Sequence, residues 1–458
     1  MDKKEIDKCI RNILIPVIIE QALLTLSNII ITSYIGRLNV TDISSFGIGN
    51  KIFNIYYALF RGISLGMVVL QAKNYGDGNR QKSYNLQKLC YITIMPFAII
   101  LAIIIFLLKE PIILFMTKDS ILINTASRYL SIVIICFPFM SMASINASIF
   151  QGQGNTKIPM LIAAFSNCIN IILGYFLIIG IGSFASLGIN GAAITKVVSS
   201  IAMCILGLYL IYGKNGLLYG VKKSCIKEIF IINDIRNILR LGIPAALEYS
   251  FWNLSSVYIC KVILLYGTDF YAAYELGLQA EELVEMMSVG FVTASTSLSS
   301  RAIGKKDNVL YKNYYKRLYR IALYISIITT LFLTIFSRRF LALLTNKELL
   351  INIAFGYLLI QSLAQIPTNF SKIEFGYIRS CNHEKIPMII RFIGIWLVRI
   401  PLVVLFGKYL HTDIIFIWLA FAADLWISYL VAWIYSKNKK IINYLDVNGE
   451  QHGIHYRE

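Results

Sequence analysis

The sequence is short of what a soluble enzyme carries on its surface and in its site. Only 15% of its 458 residues are charged, against about 25% in an ordinary soluble domain. Histidine occurs four times, at His383, His411, His452 and His455, each in a loop or in the tail. No nucleophile motif or phosphate-cradling glycine loop is present, and Gly76-Asp77-Gly78 reads as a turn. A catalytic site needs convergent groups of those kinds, so an enzyme is not expected, and no catalytic or metal-ligating residue is assigned. The eight cysteines lie far apart with no C-x-x-C, which sets aside a disulfide framework or a metal centre and leaves small buried hydrophobes. Runs of about ten residues alternating apolar with polar are also missing, so a membrane-spanning strand barrel is excluded.

What the chain has is apolar length. Hydrophobic residues make up 57% and the mean hydropathy is +0.66. At roughly 20 apolar residues per crossing, runs near 12–35, 46–73, 90–108, 127–150, 158–180, 188–213, 241–265, 273–300, 317–337, 351–378, 387–408 and 412–436 predict twelve transmembrane helices. The first run follows Lys3, Lys4, Lys8 and Arg11, is too long for a signal peptide and reads as the first span. The net charge of +18 would suit a nucleic-acid partner if it formed one face, but the bases sit between apolar segments. The N-terminus, the loops after even-numbered spans and the tail hold about 27 Lys and Arg, and the opposite loops about 8. The positive-inside rule then puts both termini in the cytoplasm of a multi-pass protein of the plasma (inner) membrane.

A shift of 228 residues lays the chain on itself. Pro16 meets Pro244, Gly49 meets Gly277, Gly62 meets Gly290, Gly76 meets Gly304 and Pro159 meets Pro387. Ile-Pro-Val-Ile-Ile-Glu at 15–20 meets Ile-Pro-Ala-Ala-Leu-Glu at 243–248, and Lys-Ile-Pro-Met occurs at both 157–160 and 385–388. With 29 Gly and 9 Pro in the whole chain, so many coincidences at one offset mark an internal repeat. The predicted fold is an all-α membrane protein of two pseudo-symmetric six-helix lobes. Residues 1–213 form the N-terminal lobe, 214–240 a basic cytoplasmic connector, 241–436 the C-terminal lobe and 437–458 a cytoplasmic tail. Six helices is an even number, so both lobes enter the membrane in the same sense, the parallel-repeat plan of many secondary transporters.

Several segments resemble the multidrug and toxic compound extrusion (MATE) family, within the wider multidrug/oligosaccharidyl-lipid/polysaccharide exporter superfamily. They are Gln-Gly-Gln-Gly-Asn-Thr-Lys-Ile-Pro-Met at 151–160, its second-half counterpart Arg-Ser-Cys-Asn-His-Glu-Lys-Ile-Pro-Met at 379–388, and Leu-Gly-Ile-Asn-Gly-Ala-Ala-Ile-Thr at 187–195. The resemblance implies a secondary antiporter in which two lobes rock about a central cavity. Its substrates would be bulky, often cationic organic compounds, exchanged for protons or sodium, with no other cofactor. Flippases of lipid-linked oligosaccharides share the superfamily plan. Such a flippase would want a cavity rich in Arg and Lys to meet pyrophosphate, and the acids here argue against it. Expected partners are a small-molecule substrate and membrane lipid, with no nucleic acid and a monomeric chain.

An ionisable group at bilayer depth is costly and so is a functional candidate. Glu20 and Glu248 stand one helical turn after the matched prolines. Each is read either as a coupling-ion, proton or substrate site or as a structural hydrogen bond to a neighbouring helix. Many MATE relatives carry acids where this chain has Ile31 and Gly174, so the family's usual N-lobe cation site is incomplete. Either Glu20 with Asn28, Asn167 and Asn170 replaces it, or coupling has moved to Glu248 and the eighth helix. A sodium ion wants several fixed oxygens, which tips the balance slightly to protons. Glu275, Glu281, Glu282 and Glu285 lie on the eighth span, and Lys51 and Arg61 on the second. The family resemblance makes these two helices line the cleft, so the acids either draw in a cationic substrate or pair with Lys51 and Arg61 as a gate. Tyr56, Tyr57, Tyr249, Trp252 and Tyr274 are candidates to stack on a flat cation, or simply core. Lys372, Glu374, Arg391 and Arg399 are read as stabilising the C-terminal lobe, and Lys196 and Asp424 as having partners within their own lobes.

Overall fold

Long apolar stretches in lipid must satisfy every backbone group internally, and a helix is the local way to do so. A computed structural model describes residues 3–35, 38, 40–116, 119–180, 186–214, 216–220, 232–344, 347–438 and 441, and the regular elements among them are all helical. Taking consecutive helical pieces together gives twelve. They are α1 Lys3–Ile35, α2 Val40–Gly76, α3 Arg80–Met116, α4 in two pieces (Ser120–Val133 and Cys136–Gly152), α5 Lys157–Gly174 continued by a π-helical turn Tyr175–Gly180, and α6 Gly188–Tyr212. The second set begins with α7 Ile232–Ile263, α8 Thr268–Gly304, α9 Asn308–Leu344 and α10 in two pieces (Glu348–Leu363 and Gln365–Ser380). α11 runs from Lys385–Phe392 through π-helical Ile393–Arg399, Ile400–Val404 and π-helical Leu405–Tyr409, and α12 is Ile414–Asn438.

The bounds repeat at the sequence offset. α2 and α8 begin and end 228 residues apart, as do α3 and α9. The two bent helices occupy matching places, with bends of 45° in α4 and 47° in α10. The turns after α2 and α8 use Gly78 (φ 73°) and Lys306 (φ 55°), and those after α4 and α10 use Gly154 (φ 77°) and Asn382 (φ 64°). Gly and Asn reach this left-handed region most cheaply, which suits three of the four ends, and Lys306 adopts it without that advantage.

Among the described residues eight helices are long and apolar enough to cross a membrane, and the two bent pairs bring the number to ten. The other two, α7 and α8, have the length but carry more charge: Glu248 and Lys261 on one, Glu275, Glu281, Glu282 and Glu285 on the other. Elsewhere the outward faces are greasy. Ile99, Ile100, Ile103, Ile104 and Leu107 of α3 are exposed, as are Leu323, Tyr324, Ile327, Ile328 and Leu331 of α9, the surface a chain offers to acyl tails.

The chain forms two compact units, which do not divide at the connector. Ile19–Ala246 is one, here the N unit; Met1–Ile18 together with Leu247–Glu458 is the other, the C unit. Each boundary falls two residues after a helix-interior proline, Pro16 in α1 and Pro244 in α7. A proline there removes a hydrogen bond and lets a helix change direction. The start of α7 therefore packs in the N unit, where Gly62 of α2 has no room for a side chain against Ala246. The start of α1 packs in the C unit, where a Cβ on Gly290 of α8 would lie 2.8 Å from Leu14 and 3.1 Å from Ile18. α7 has begun by Ile232 and carries within it Arg236 and Arg240, from the stretch 214–240 read from the sequence as a connector. Residues 215, 221–231 and the tail beyond 441 lie outside the described residues.

Candidate functional site

In the C unit, polar side chains gather on α8 and its neighbours. Glu281 and Glu285 are one turn apart on the same helical face and Glu282 lies beside them. Glu282 is exposed and the other two half-buried. Tyr357 of α10 donates its hydroxyl to Glu281 and accepts from Gln361 Nε2 at 3.3 Å. Around this pair stand Tyr274, edge-on to Tyr357 at 5.5 Å, and Trp418, 5.0 Å from Tyr357 and stacked on Tyr274.

Two further acids are locked to bases. Arg399, at the end of the first π-helical segment of α11, lies 2.9 Å from the Asp424 carboxylate, the two being 1% and 0% exposed. The Arg399 guanidinium also sits over Trp252 at 4.8 Å and Phe421 at 4.9 Å. Gly394, one turn earlier, lets α11 come this close, since a Cβ there would run into Asp424 and Ser428. Glu248 is clamped by Arg379, both almost fully buried. Lys372 interacts electrostatically with Arg391, Glu248, Glu285 and Arg379. Such desolvated pairs add little net stability, but removing one partner costs about 3–5 kcal/mol because the other charge is stranded.

In the N unit the same framework holds fewer charges. Glu20 is 8% exposed, its Oε2 has no hydrogen-bond partner among the described residues, and Arg61 is its electrostatic neighbour. Asn28 is exposed and Asn170 half-buried, while Asn167 Nδ2 is a buried donor without a partner among the described residues. The two positions where the family resemblance expects acids pack on each other: a Cβ on Gly174 would lie 2.7 Å from Ile31 Cδ1. An apolar contact thus fills that place. Lys196 Nζ donates to Asn50 Oδ1 at 3.0 Å and lies 3.4 Å from the Phe53 ring, which in turn stacks on Tyr57 at 5.9 Å. Lys51 is exposed. A cleft of about 760 Å³ opens beside Asp42, Asn124, Arg128 and Asn190 of this unit; the start of the 187–195 motif lines it, and none of the candidate coupling, substrate or gate residues does.

Of the residues singled out from the sequence, Glu281, Glu282 and Glu285 come together. Glu20 and Glu248 fall in different units, Arg61 belongs with Glu20, and Trp252 serves Arg399. Tyr357 and Arg379 were not chosen as site residues. The signal for Arg379 was available, since a buried acid demands a buried base and Arg379 opens the loop segment at 379–388.

Twelve helices built from two copies of a six-helix unit, with ionisable side chains inside each copy, define a multi-pass membrane protein of the repeat-built transporter class. The MatE family profile matches residues 16–176 and again 244–405, one match per copy. The chain belongs to the MATE family of multidrug efflux transporters. It is 24% identical to the probable multidrug resistance protein NorM of Thermotoga maritima, over 99% of this chain and 95% of that one. It is 25% identical to the uncharacterized transporter YisQ of Bacillus subtilis, over 90% of each. A crystal structure of MATE in complex with MaL6 superposes with a TM-score of 0.88 at 17% identity, covering 96% of this chain and 97% of that one. A MOP superfamily transporter from Pyrococcus furiosus, described as having a binding pocket of reverse polarity, does so at 0.86 with 18% identity and the same coverage.

Proposed function

We propose that the protein exports bulky cationic or amphipathic organic compounds in exchange for protons, as a monomer in the plasma (inner) membrane with both termini cytoplasmic. The observation that carries the substrate class is the acidic group Glu281, Glu282 and Glu285 on α8, open to solvent in part and flanked by Tyr274, Tyr357 and Trp418. Carboxylates attract a positive charge, and aromatic faces bind its organic body. Arg379 and Arg399 are already held by Glu248 and Asp424, so Arg399 acting on Glu281 and Lys372 acting on Glu285 offset the α8 acids only in part. The naming of relatives as multidrug resistance proteins agrees with this reading. So does the predominance of acids over bases on α8, which disfavours a pyrophosphate-bearing lipid. Glu20 supports proton exchange, since a buried carboxylate oxygen without a hydrogen-bond donor is poised to take a proton. With Ile31 and Gly174 closed on each other, two carboxylates fewer stand beside Glu20, Asn28, Asn167 and Asn170 to ring a sodium ion. Glu248 stays in its clamp and contributes to coupling only when Arg379 lets go. Lipid and the organic substrate are the partners, and no nucleic acid is involved.

Export of a cationic dye from proteoliposomes under an imposed proton or sodium gradient tests this. Wild type responds to the proton gradient, Glu20→Gln loses that response, and the triple change of Glu281, Glu282 and Glu285 to Gln loses dye binding. Normal export by Glu20→Gln, or a response to sodium alone, overturns the coupling assignment.

A further inference from the structure

Glu374, in the second piece of α10, is 0% exposed. Its Oε1 accepts hydrogen bonds from the Tyr315 hydroxyl at 2.6 Å and from Tyr319, and its Oε2 accepts from Ser436 Oγ at 2.5 Å. The ionisable groups that face it are all phenols: Tyr315 and Tyr319 from α9, Tyr377 from its own helix and Tyr429 from α12. α8, packed on the same helix, presents Ser295 and Thr296 at Gly376. Among the described residues no cation and no second acid interacts with Glu374. That separates it from Glu248 and Asp424, each held by a guanidinium. A guanidinium only donates and so fixes the anion, whereas a hydroxyl both donates and accepts and tolerates either protonation state. The repeat supplies a check: 228 residues earlier, Tyr91 occupies the place of Tyr319 and donates to Asn146, which occupies the place of Glu374. This node of the fold thus accommodates a neutral side chain.

We propose that Glu374 is a proton-binding site of the C unit, loaded and emptied during exchange without the opening of any ion pair. This deepens the proton-exchange reading and rests on it for its role in transport. On loading, a hydronium ion from the more acidic side gives its proton to Glu374 Oε2 and leaves as water. The new O–H donates to Ser436 Oγ, and the serine hydrogen turns to a carbonyl of the preceding helical turn, a usual fallback for a helical serine. Unloading is the reverse, with water taking the proton on the other side.

The test uses full-length protein in liposomes, with the carboxylic-acid carbonyl stretch followed by infrared difference spectroscopy as the pH is stepped. A band appears on acidification of wild type. Glu374→Gln loses that contribution, Tyr319→Phe and Ser436→Ala shift its midpoint, and Glu20→Gln leaves it in place. In dye exchange, Glu374→Gln flattens the pH profile and Glu374→Asp restores it. An unchanged spectrum and an unchanged pH profile in Glu374→Gln overturn the proposal. If export proves to be driven by sodium, the proton-exchange reading falls, while the infrared titration still decides whether Glu374 binds a proton.

Discussion

The N and C units are two copies of one backbone that have been given different chemistry. In both, a glycine of the second helix of the copy faces a tyrosine ring, Gly49 against Tyr129 and Gly277 against Tyr357. In both, an aromatic meets that tyrosine edge-on, Phe46 at 5.6 Å and Tyr274 at 5.5 Å. The polar groups then diverge at a few matched positions. Phe53, Gln151, Ile171 and Lys196 of the N unit stand where the C unit has Glu281, Arg379, Arg399 and Asp424. Close-packed glycines and rings fix how helices meet, so charge can be moved into one copy without disturbing the frame.

The sharpest way to break this comparison is to strip one charge from the C unit. Arg399→Leu, which supplies the apolar character of its mate Ile171, strands Asp424 and lowers stability by about 3–5 kcal/mol. Adding Asp424→Leu recovers most of that loss. Thermal unfolding in detergent checks both, and a neutral single variant would show that the pair does not hold the unit. Next come the glycines that receive the exchanged helix starts. Gly62→Leu and Gly290→Leu each overpack a helix crossing and cost about 1–3 kcal/mol by the same assay. Loss from one alone would mean that only one unit depends on its borrowed segment.

A smaller and asymmetric effect is expected of the matched tyrosines. Tyr357→Phe removes a hydrogen bond to a carboxylate, worth about 1.5–3 kcal/mol, and weakens dye binding. Tyr129→Phe removes a buried hydroxyl that has no partner among the described residues, and is neutral or mildly stabilising. Equal effects would undo the claim that chemistry was loaded into one copy. Smallest is the turn pair: Gly154→Ala costs about 1 kcal/mol at a positive φ, and Asn382→Gly changes stability by a few tenths.

The frame was legible in the sequence because it is written in rare residues. Nine prolines and 29 glycines in 458 residues leave little room for chance, and so Pro16 with Pro244 and Gly62 with Gly290 revealed the repeat before any geometry. The positions of the acids at bilayer depth were legible for the same reason, since charge there is scarce. Their partners were not. Whether Glu248 meets Arg379, or Glu374 meets Tyr315, depends on how far each helix is rotated and where it bends. The π-helical segment that turns Arg399 toward Asp424 has no signature in apolar periodicity. The unit boundaries at Ile18 and Ala246 were hidden likewise, because a proline announces a possible change of direction but not which neighbour receives the helix beyond it.

That exchange of helix starts bears on how such a protein arises and how it is made. A gene for one half, expressed alone, yields six helices whose leading segment belongs on another copy and whose own receiving groove stands empty. Fusion in tandem supplies both in a single round of synthesis: the N unit has all of its segments once the start of α7 is made, and the C unit draws on a segment made at the very beginning.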